Sequence, residues 1–526
     1  MGRWYFKSLP NINHDPFLSD PGPEDSPMAR DHVLAIDQGT TSTRAVVYDN
    51  RLRTVGQGQA EVSPTYPKSG WVEHSAEAIV GSVGPLVTQA LAEAGLGADR
   101  IAAIGLTNQR ETTAIWDRRT GCAIAPALVW QDRRTAEFCE KHRDRQAWIS
   151  ERTGLVLDPY FSATKIAWLL ENVPNARRRA EAGELAAGTV DSLLIWHLTG
   201  GLKHVTDVTN ASRTLLMDLR TLRWADDLCD FFAVPRGILP EILPSSGEFG
   251  KTLGLDYLPD GLPILGVVGD QQASLVGQGC LHEGQAKCTY GTGAFLLVHT
   301  GSNVVPSTRG LITTLAATLG DGPPQYALEG SVFVAGAAVQ WFRDGLKAVG
   351  AAPEIDELSL HADPSSGVLF IPALTGLGAP HWDPEARGTL FGLTRATSLA
   401  DLARATLEGV AYQITDLIDA MNADLTSPLA DLRVDGGMAR SDPFLQFQSD
   451  LLGLPLRRSP QPESTALGAA LLAGLAAGVW TDASTAVEHL QAGGQTFSPA
   501  KDSAWRTAAS QRWQHAIETA KSYYRG

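Results

Sequence analysis

Apolar runs that stop abruptly on a polar or charged residue recur along this chain, and the stops fall beside glycine or hydroxyl side chains. Val33-Leu-Ala-Ile36 ends on Asp37, a turn with Gly39 and several hydroxyls follows, and Ala45 to Tyr48 returns. This pattern predicts a strand, a tight turn and a second strand. Ile101 to Leu106 ends in Thr107-Asn-Gln-Arg110-Glu111, and Pro263 to Val268 ends in Gly269-Asp270-Gln271. Lys287-Cys-Thr-Tyr290-Gly-Thr292-Gly293 precedes another apolar run from Ala294, and Leu432-Arg-Val-Asp435 leads into Gly436-Gly437. Between these strands lie helical periods. Ile79, Val83, Val87 and Leu91 recur at fours behind a capping Ser75, with Pro85 predicted to kink or break the helix. Leu399, Leu402, Thr406, Val410, Ile414, Leu417 and Met421 form a buried stripe behind the capping box Ser398/Asp401, and Ser464 is read as the cap of a helix rich in small residues.

The Gly/Thr turn at Gly39 fits an ordinary polar hairpin tip as well as a phosphate cradle when taken alone. Its recurrence at Gly291 to Gly293 changes the picture, because two such turns point to two similar halves, each closing on one side of a nucleotide. Thr40, Thr41, Ser42 and Thr43 offer hydroxyl donors to phosphate oxygens, Arg44 adds a charge, and Asp37 stands where a nucleotide's Mg²⁺ would be held. Gly437 lets a flat base lie against backbone, and the small residues at Gly336 permit a similar approach. Phe249-Gly-Lys-Thr252 resembles the end of a P-loop, but Ser245 replaces the leading glycine and no apolar strand enters it.

Length and composition narrow the class. At 526 residues the chain exceeds what one core supports, so two large domains are expected, at 31–280 and 281–526, behind a disordered tail over 1–30. Within that tail, Met28 is a second candidate start. Hydrophobic content of 44% and charged content of 19% describe a globular protein. A net charge of −15 argues against nucleic acid as a partner. Five cysteines with no Cys-x-x-Cys support neither a disulfide framework nor a zinc site, so a cytoplasmic location is expected. No apolar window is long enough for a membrane span.

Ligands of open α/β sheets gather beyond the carboxyl ends of strands, which places Arg110, Glu111 and Asp270 where a small polar substrate lies. An adjacent Arg-Glu pair is elsewhere commonly two solvated charges, and Asp270 doubles as a helix N-terminal residue. A desolvated carboxylate at Asp270 requires a metal, an alcohol or a cation as partner. Trp130 reads as an apolar wall. Tyr160, before the helix that starts near Ser162, offers its hydroxyl to substrate or anchors the core.

Asp37-Gln-Gly-Thr-Thr, Asn108-Gln-Arg-Glu-Thr, Trp130-Gln-Asp-Arg-Arg, Asp158-Pro-Tyr-Phe-Ser, Gly269-Asp-Gln-Gln, Tyr290-Gly-Thr-Gly, Gly376-Leu-Gly-Ala-Pro and Asp435-Gly-Gly occur in one order. Together they resemble the FGGY carbohydrate kinases, in particular the glycerol-phosphorylating branch, within the actin/hexokinase-like ATPase superfamily. The resemblance spans residues 31 to 520. It implies an α/β fold of two ribonuclease-H-like domains flanking a deep cleft, and ATP-dependent phosphorylation of glycerol with Mg²⁺. By that match Arg110, Glu111, Tyr160, Asp270 and Gln271 bind the hydroxyls of the polyol, and Trp130 and Phe295 face its carbons. Asp270 is the general base, and Asp37 with Asp270 forms the metal site. Thr40, Thr41, Ser42, Arg44 and Thr292 hold phosphates, while Gly336, Gln340, Gly437 and Ser441 border the nucleotide. Ser441 stands where enteric members carry Asn, and the loops through which relatives respond to fructose 1,6-bisphosphate or to histidine phosphorylation have no counterpart. The family suggests a homodimer or homotetramer. Two other readings are a kinase for another polyol or ketose and a non-catalytic ATP-binding switch protein. The Asp270 carboxylate and the Arg110-Glu111 pair weigh against the second of these.

Overall fold

Val33, Leu34, Ala35 and Ile36 are all fully buried, and alternate residues of this run enter different cores. That is the behaviour of a strand covered on both faces. The computed structural model that shows this describes residues 30–525 apart from 320–321, 384, 462, 484–485 and 487–492. The expected tail thus lies almost wholly outside the described residues.

The first sheet comprises β1 (His32–Gln38), β2 (Ser42–Tyr48), β3 (Thr54–Glu61), β4 (Ile101–Asn108), β5 (Ser246–Lys251) and β6 (Pro263–Gly269), in spatial order β5-β6-β4-β1-β2-β3. β1 and β2 form an antiparallel hairpin, whereas β4 runs parallel to β1 and β6 parallel to β4. The second sheet comprises β7 (Ala286–Tyr290), β8 (Ala294–Gly301), β9 (Ile312–Leu315), β10 (Tyr326–Val332), β11 (Leu432–Asp435), β12 (Leu456–Arg458) and β13 (Gln495–Phe497), ordered β9-β10-β8-β7-β11-β12-β13. The same scheme recurs there: β7 and β8 pair antiparallel, β11 runs parallel to β7 and β12 parallel to β11. The repeated Gly/Thr turns are therefore the first hairpin of each of two ribonuclease-H-like sheets.

Four helices frame the sheets: α1 (Ala76–Ala94), α2 (Asp270–Gly277), α3 (Leu399–Asp424) and α4 (Ser464–Ala476). α1 covers the Leu34/Ile36 face of the first sheet through Ile79, Val83 and Val87. It runs unbroken through Pro85, contrary to the expected break. Ser75 caps it, accepting a bond from the Ala78 amide at 3.1 Å. The Val33/Ala35 face is covered by α4, a helix from the far end of the chain, through Ala466, Ala469, Ala470 and Ala473. α3 covers one face of the second sheet and begins with the expected Ser398/Asp401 capping box. The other face, carrying Leu297 and Ala327, meets Leu275 of α2. α2 thus belongs to the first half by chain order and touches both halves.

Close packing at α2 and α4 depends on missing side chains. A β-carbon on Gly468 would stand 1.9 Å from the Ala273 carbonyl oxygen, and one on Gly277 would stand 1.9 Å from that of Ser464. Among the described residues, no helix is long and apolar enough to cross a membrane.

Replacing Gly468 with Ala forces α2 and α4 apart and is expected to cost about 1–3 kcal/mol of stability. Gly81→Ala, on α1 where a new β-carbon meets nothing within 4 Å, should instead gain about 0.5–1 kcal/mol from helix propensity. Denaturant unfolding of both variants checks the contrast.

Candidate active site

Two neighbouring parallel strands, β4 and β6, end side by side and deliver Arg110 and Asp270 to one place. The Arg110 Nε–H lies 3.1 Å from the Asp270 carboxylate. Gly269 is required at this point, because a β-carbon there would meet Arg110 Cδ at 2.8 Å. Glu111 follows in the left-handed region, with φ 61°, a conformation that costs a non-glycine residue energy and turns its carboxylate back into the protein.

A buried network fixes the spacing of the two strand ends. The Asp207 carboxylate accepts from the Thr209 hydroxyl at 2.7 Å, the Asn210 amide nitrogen at 2.9 Å and the Ser245 hydroxyl at 2.7 Å. The Thr209 hydroxyl in turn accepts from the backbone N–H of Gly269 at 2.8 Å. The side-chain amides of Asn210 and Asn108 exchange two bonds, of 3.0 and 3.1 Å. Asp207 therefore grips the residue before Asp270 and, through Asn210, the end of the strand before Arg110. Beside it, Asp191 accepts from the hydroxyls of Thr189 and Thr206. Burial, together with the nearby Asp207 charge, pushes the Asp191 carboxyl up to about 7.

Two residues that the sequence reading did not assign to the site stand at its centre. Glu329, on β10 of the second sheet, accepts from Arg110 Nη1 at 2.6 Å and Nη2 at 3.0 Å, and from Arg213 Nη2 at 3.1 Å. Arg213 also donates through Nε to Glu111 at 2.5 Å. All four side chains are buried. Burial alone would raise the Glu329 carboxyl, and the two guanidiniums reverse this and hold it at about 2. Glu111 moves the other way: burial raises it despite Arg213 and Arg110. A charged residue amid the apolar strand Tyr326 to Val332 was the available signal for Glu329; Arg213 lies in a loop with no such mark.

Aromatic rings cluster beside this network. Trp130 and Tyr160 meet edge to face at 5.6 Å, and the Trp130 indole N–H donates to the Thr40 hydroxyl at 2.8 Å. Lys165 steadies the loop before Tyr160 by donating to the carbonyls of Pro159, Tyr160 and Phe161 at 3.0, 2.6 and 2.9 Å. Burial lowers its ammonium to about 7. Arg213 lies 5.5 Å from the centre of the Tyr160 ring. Phe295 pairs with Ser331, two residues from Glu329, so it shares the sheet face that carries Glu329. Gln271 accepts from Lys287 Nζ at 2.6 Å, tying α2 to the second sheet.

Thr41 is exposed, and Thr40 and Ser42 are half-buried around the β1–β2 turn. Thr43 points inward and accepts from the Ser82 hydroxyl at 2.9 Å, which removes it from the phosphate set. Arg44 pairs with Asp37 in register, but its guanidinium forms an ion pair with Glu463. Burial pushes the Asp37 carboxyl up to about 7, with Arg44 opposing and Asp270 adding to the shift. In the second half, the carbonyl of Thr292 accepts from the N–H groups of Ala335 and Ala337 at 2.9 and 3.0 Å. Gly336 is needed because a β-carbon would stand 2.6 Å from the Gly291 carbonyl oxygen. Gln340 is exposed. Gly436, at φ 89°, fits against the Tyr290 backbone, whereas a β-carbon on Gly437 would meet nothing nearer than 4.0 Å. Gly437 thus keeps an open side.

Ser441 does not present a free hydroxyl. It caps the helix Asp442–Leu452, accepting from the Phe444 amide, and donates to Asp356 at 2.6 Å. Ser464 is likewise not a cap but the first residue of α4, and its hydroxyl donates to Asp435. Among the described residues, no group of three or more His, Cys, Asp or Glu is placed to hold a metal ion. The Asp270 charge helps to raise the Asp37 carboxyl, and two carboxylates that repel one another in this way would suit a divalent cation that takes its remaining ligands from phosphate and water.

Known proteins resemble the chain across both halves. Residues 32–277 match the N-terminal domain, and residues 286–477 the C-terminal domain, of the FGGY family of carbohydrate kinases. The chain belongs to that family. Within it, the chain is 51% identical over 502 residues to a glycerol kinase of Bordetella parapertussis, covering 94% of this chain and 98% of the relative. It is 53% identical over 492 residues to one of Methylobacterium nodulans, covering 92% and 97%. The crystal structure of Plasmodium falciparum glycerol kinase with ADP superposes with a TM-score of 0.88 at 38% identity, covering 93% of this chain and 98% of that one.

The raised Asp191 carboxyl has a stability consequence. Its folded value of about 7 exceeds the ordinary 3.8, so folding favours the protonated form and stability falls as pH rises between those values. Asp191→Asn removes this decline. Its unfolding free energy relative to wild type should improve by about 1–3 kcal/mol between pH 5 and pH 8. A difference that stays constant across that range would contradict the assignment.

Proposed function

We propose that the protein transfers the γ-phosphoryl group of ATP to a terminal hydroxyl of glycerol, giving sn-glycerol 3-phosphate. The observation that carries this reading is the placement of Asp270 beside Arg110 at the ends of two parallel strands, next to the Trp130–Tyr160 wall. A short polyol has hydroxyls for one side of such a site and carbons for the other.

Arg110, Glu111, Tyr160, Asp270 and Gln271 bind the hydroxyls, and Trp130 and Phe295 line the carbon face and leave little room for a bulkier sugar. Phosphoryl transfer proceeds through a loose transition state, so alignment and charge neutralisation do most of the work. Asp270 accepts the hydroxyl proton as the new P–O bond forms. The half-buried carboxylate keeps a path to solvent for that proton. Thr40, Thr41, Ser42 and Arg44 hold phosphate oxygens from the first half and Thr292 from the second. Arg44 exchanges Glu463 for phosphate in this arrangement. Gly336, Gln340 and Gly437 border the nucleotide. Asp37 and Asp270 would hold Mg²⁺, which when bound would neutralise oxygen charge on the nucleotide.

Five unpaired cysteines, four of them buried, support a cytoplasmic location. Assembly as a homodimer or homotetramer completes the proposal, on family precedent.

Turnover of ATP to ADP on glycerol, dihydroxyacetone, erythritol, xylulose and gluconate tests the reading. Glycerol should be strongly preferred, and Asp270→Asn should lose at least ~100-fold in kcat with retained nucleotide binding. Preference for a C4 or C5 substrate would reassign the acceptor. Binding of ATP without turnover on any of them would make the protein a nucleotide-dependent switch.

A further inference from the structure

We propose that Glu329 is a positioning residue for polyol selection: a carboxylate sent by the second half into the first, which aims the Arg110 guanidinium at the acceptor hydroxyls. The inference rests on the acceptor reading above and extends it to a residue that touches no substrate. Both Glu329 oxygens are used in a fork across Arg110 Nη1 and Nη2, at 2.6 and 3.0 Å. That fork engages the terminal nitrogens and leaves the Nε edge turned to Asp270 at 3.1 Å. Planar two-point pairing of this kind sets orientation as well as attraction.

The same carboxylate reaches Arg213, which holds Glu111 from the other side. Both polyol-binding members of the Arg110-Glu111 pair are therefore oriented from Glu329, one directly and one through Arg213. The four charges sum to zero within a buried cluster, so removing the Glu329 charge leaves an uncompensated guanidinium among desolvated groups. Lys287 lies on the same sheet face, two strands away, and adds to the positive surroundings.

Position in the fold gives the arrangement a second effect. Glu329 belongs to β10 of the second sheet, while Arg110 and Arg213 belong to the first half. The acceptor site is thus aimed correctly only while the two halves meet here. The groups that bind the acceptor come from the first half, and their alignment comes from the second.

The test uses full-length protein with Glu329→Gln, which keeps size and shape, and Glu329→Asp, which keeps charge. Steady-state kinetics on glycerol and on propane-1,2-diol are read beside the KM for ATP and the unfolding midpoint. In wild type, loss of one hydroxyl should lower kcat/KM strongly, because a buried donor is left unpaired. With Glu329→Gln the KM for glycerol should rise at least ~10-fold, the glycerol-to-diol ratio of kcat/KM should narrow at least ~10-fold, and the KM for ATP should stay within ~3-fold. Glu329→Asp should recover some of the discrimination. If Glu329→Gln does not fold, Arg213→Lys carries the same expectation, since it keeps the charge and loses the two-point geometry. A folded variant whose glycerol and ATP constants move together, or whose hydroxyl discrimination matches wild type, overturns the inference and leaves the function standing. Absence of glycerol turnover in wild type overturns both.

Discussion

Where α2 and α4 cross, the carbonyls of Ser464 and Ala273 occupy the space that β-carbons on Gly277 and Gly468 would take. This approach of one backbone to another sets the geometry of everything around it. α2 carries Asp270 at its first residue and Gln271 beside it, so the distance between α2 and α4 also sets how far the Asp270 carboxylate stands from the first sheet. Gly105 and Gly266 repeat the constraint on β4 and β6, where β-carbons would meet the backbone of Ala469 and Ala473. The strands that end in Arg110 and Asp270 are thus pressed against the same helix that packs against α2. Packing at protein density permits little adjustment once such contacts are made.

Charge burial is the counterpart of that packing. Arg110, Glu111, Arg213 and Glu329 are removed from water together, and a cluster of this kind is unfavourable unless each member finds its partners. Here forked and single bonds of 2.5 to 3.1 Å supply most of them, and Arg213 Nη1 is left without a hydrogen-bond partner. The arrangement contributes little to stability by comparison with an apolar core of similar volume. What it supplies is a fixed direction for hydrogen-bond donors in a place where a small polyhydroxylated molecule must displace water. The Asp207 network acts in the same way a layer further back, holding backbone rather than side chains.

Much of this was legible in the chain because strands advertise their own ends. Asp37, Arg110, Glu111 and Asp270 each follow a run of buried apolar residues, and a polar residue at such a stop must face a cavity, a ligand or a partner. The duplicated sheets were legible from the duplicated turns. Glu329 was only half legible: a charge inside an apolar strand marks it as paired, but its partner Arg110 lies 219 residues away and the strand does not say which group it meets. Arg213 sits in a loop whose purpose depends on that same meeting. Ser441 and Ser464 show a different limit: a hydroxyl near a helix start serves a ligand, a cap or a neighbouring carboxylate, and only three-dimensional placement decides which. Of the two outcomes that Pro85 allows, a kink or a break, the break does not occur, because α1 is held against the sheet on both sides of it.

The placement of α4 on the first sheet bears on how the chain acquires its shape as it is made. Val33, Ala35, Val46, Ala103 and Val268 form an apolar face whose cover, Ala466 to Ala473, is encoded far downstream. Roughly 195 residues separate β6 from α4, so at ribosomal speeds of about 5–20 residues per second that face waits on the order of 10–40 s for its cover. During that interval the first half presents a sticky, half-finished surface to the rest of the cell. The order of elements thus makes cover of the first sheet a late event of synthesis, with only the last strand of the second sheet and the C-terminal helix still to come among the described residues, and a truncated chain ending before α4 is left with an open core.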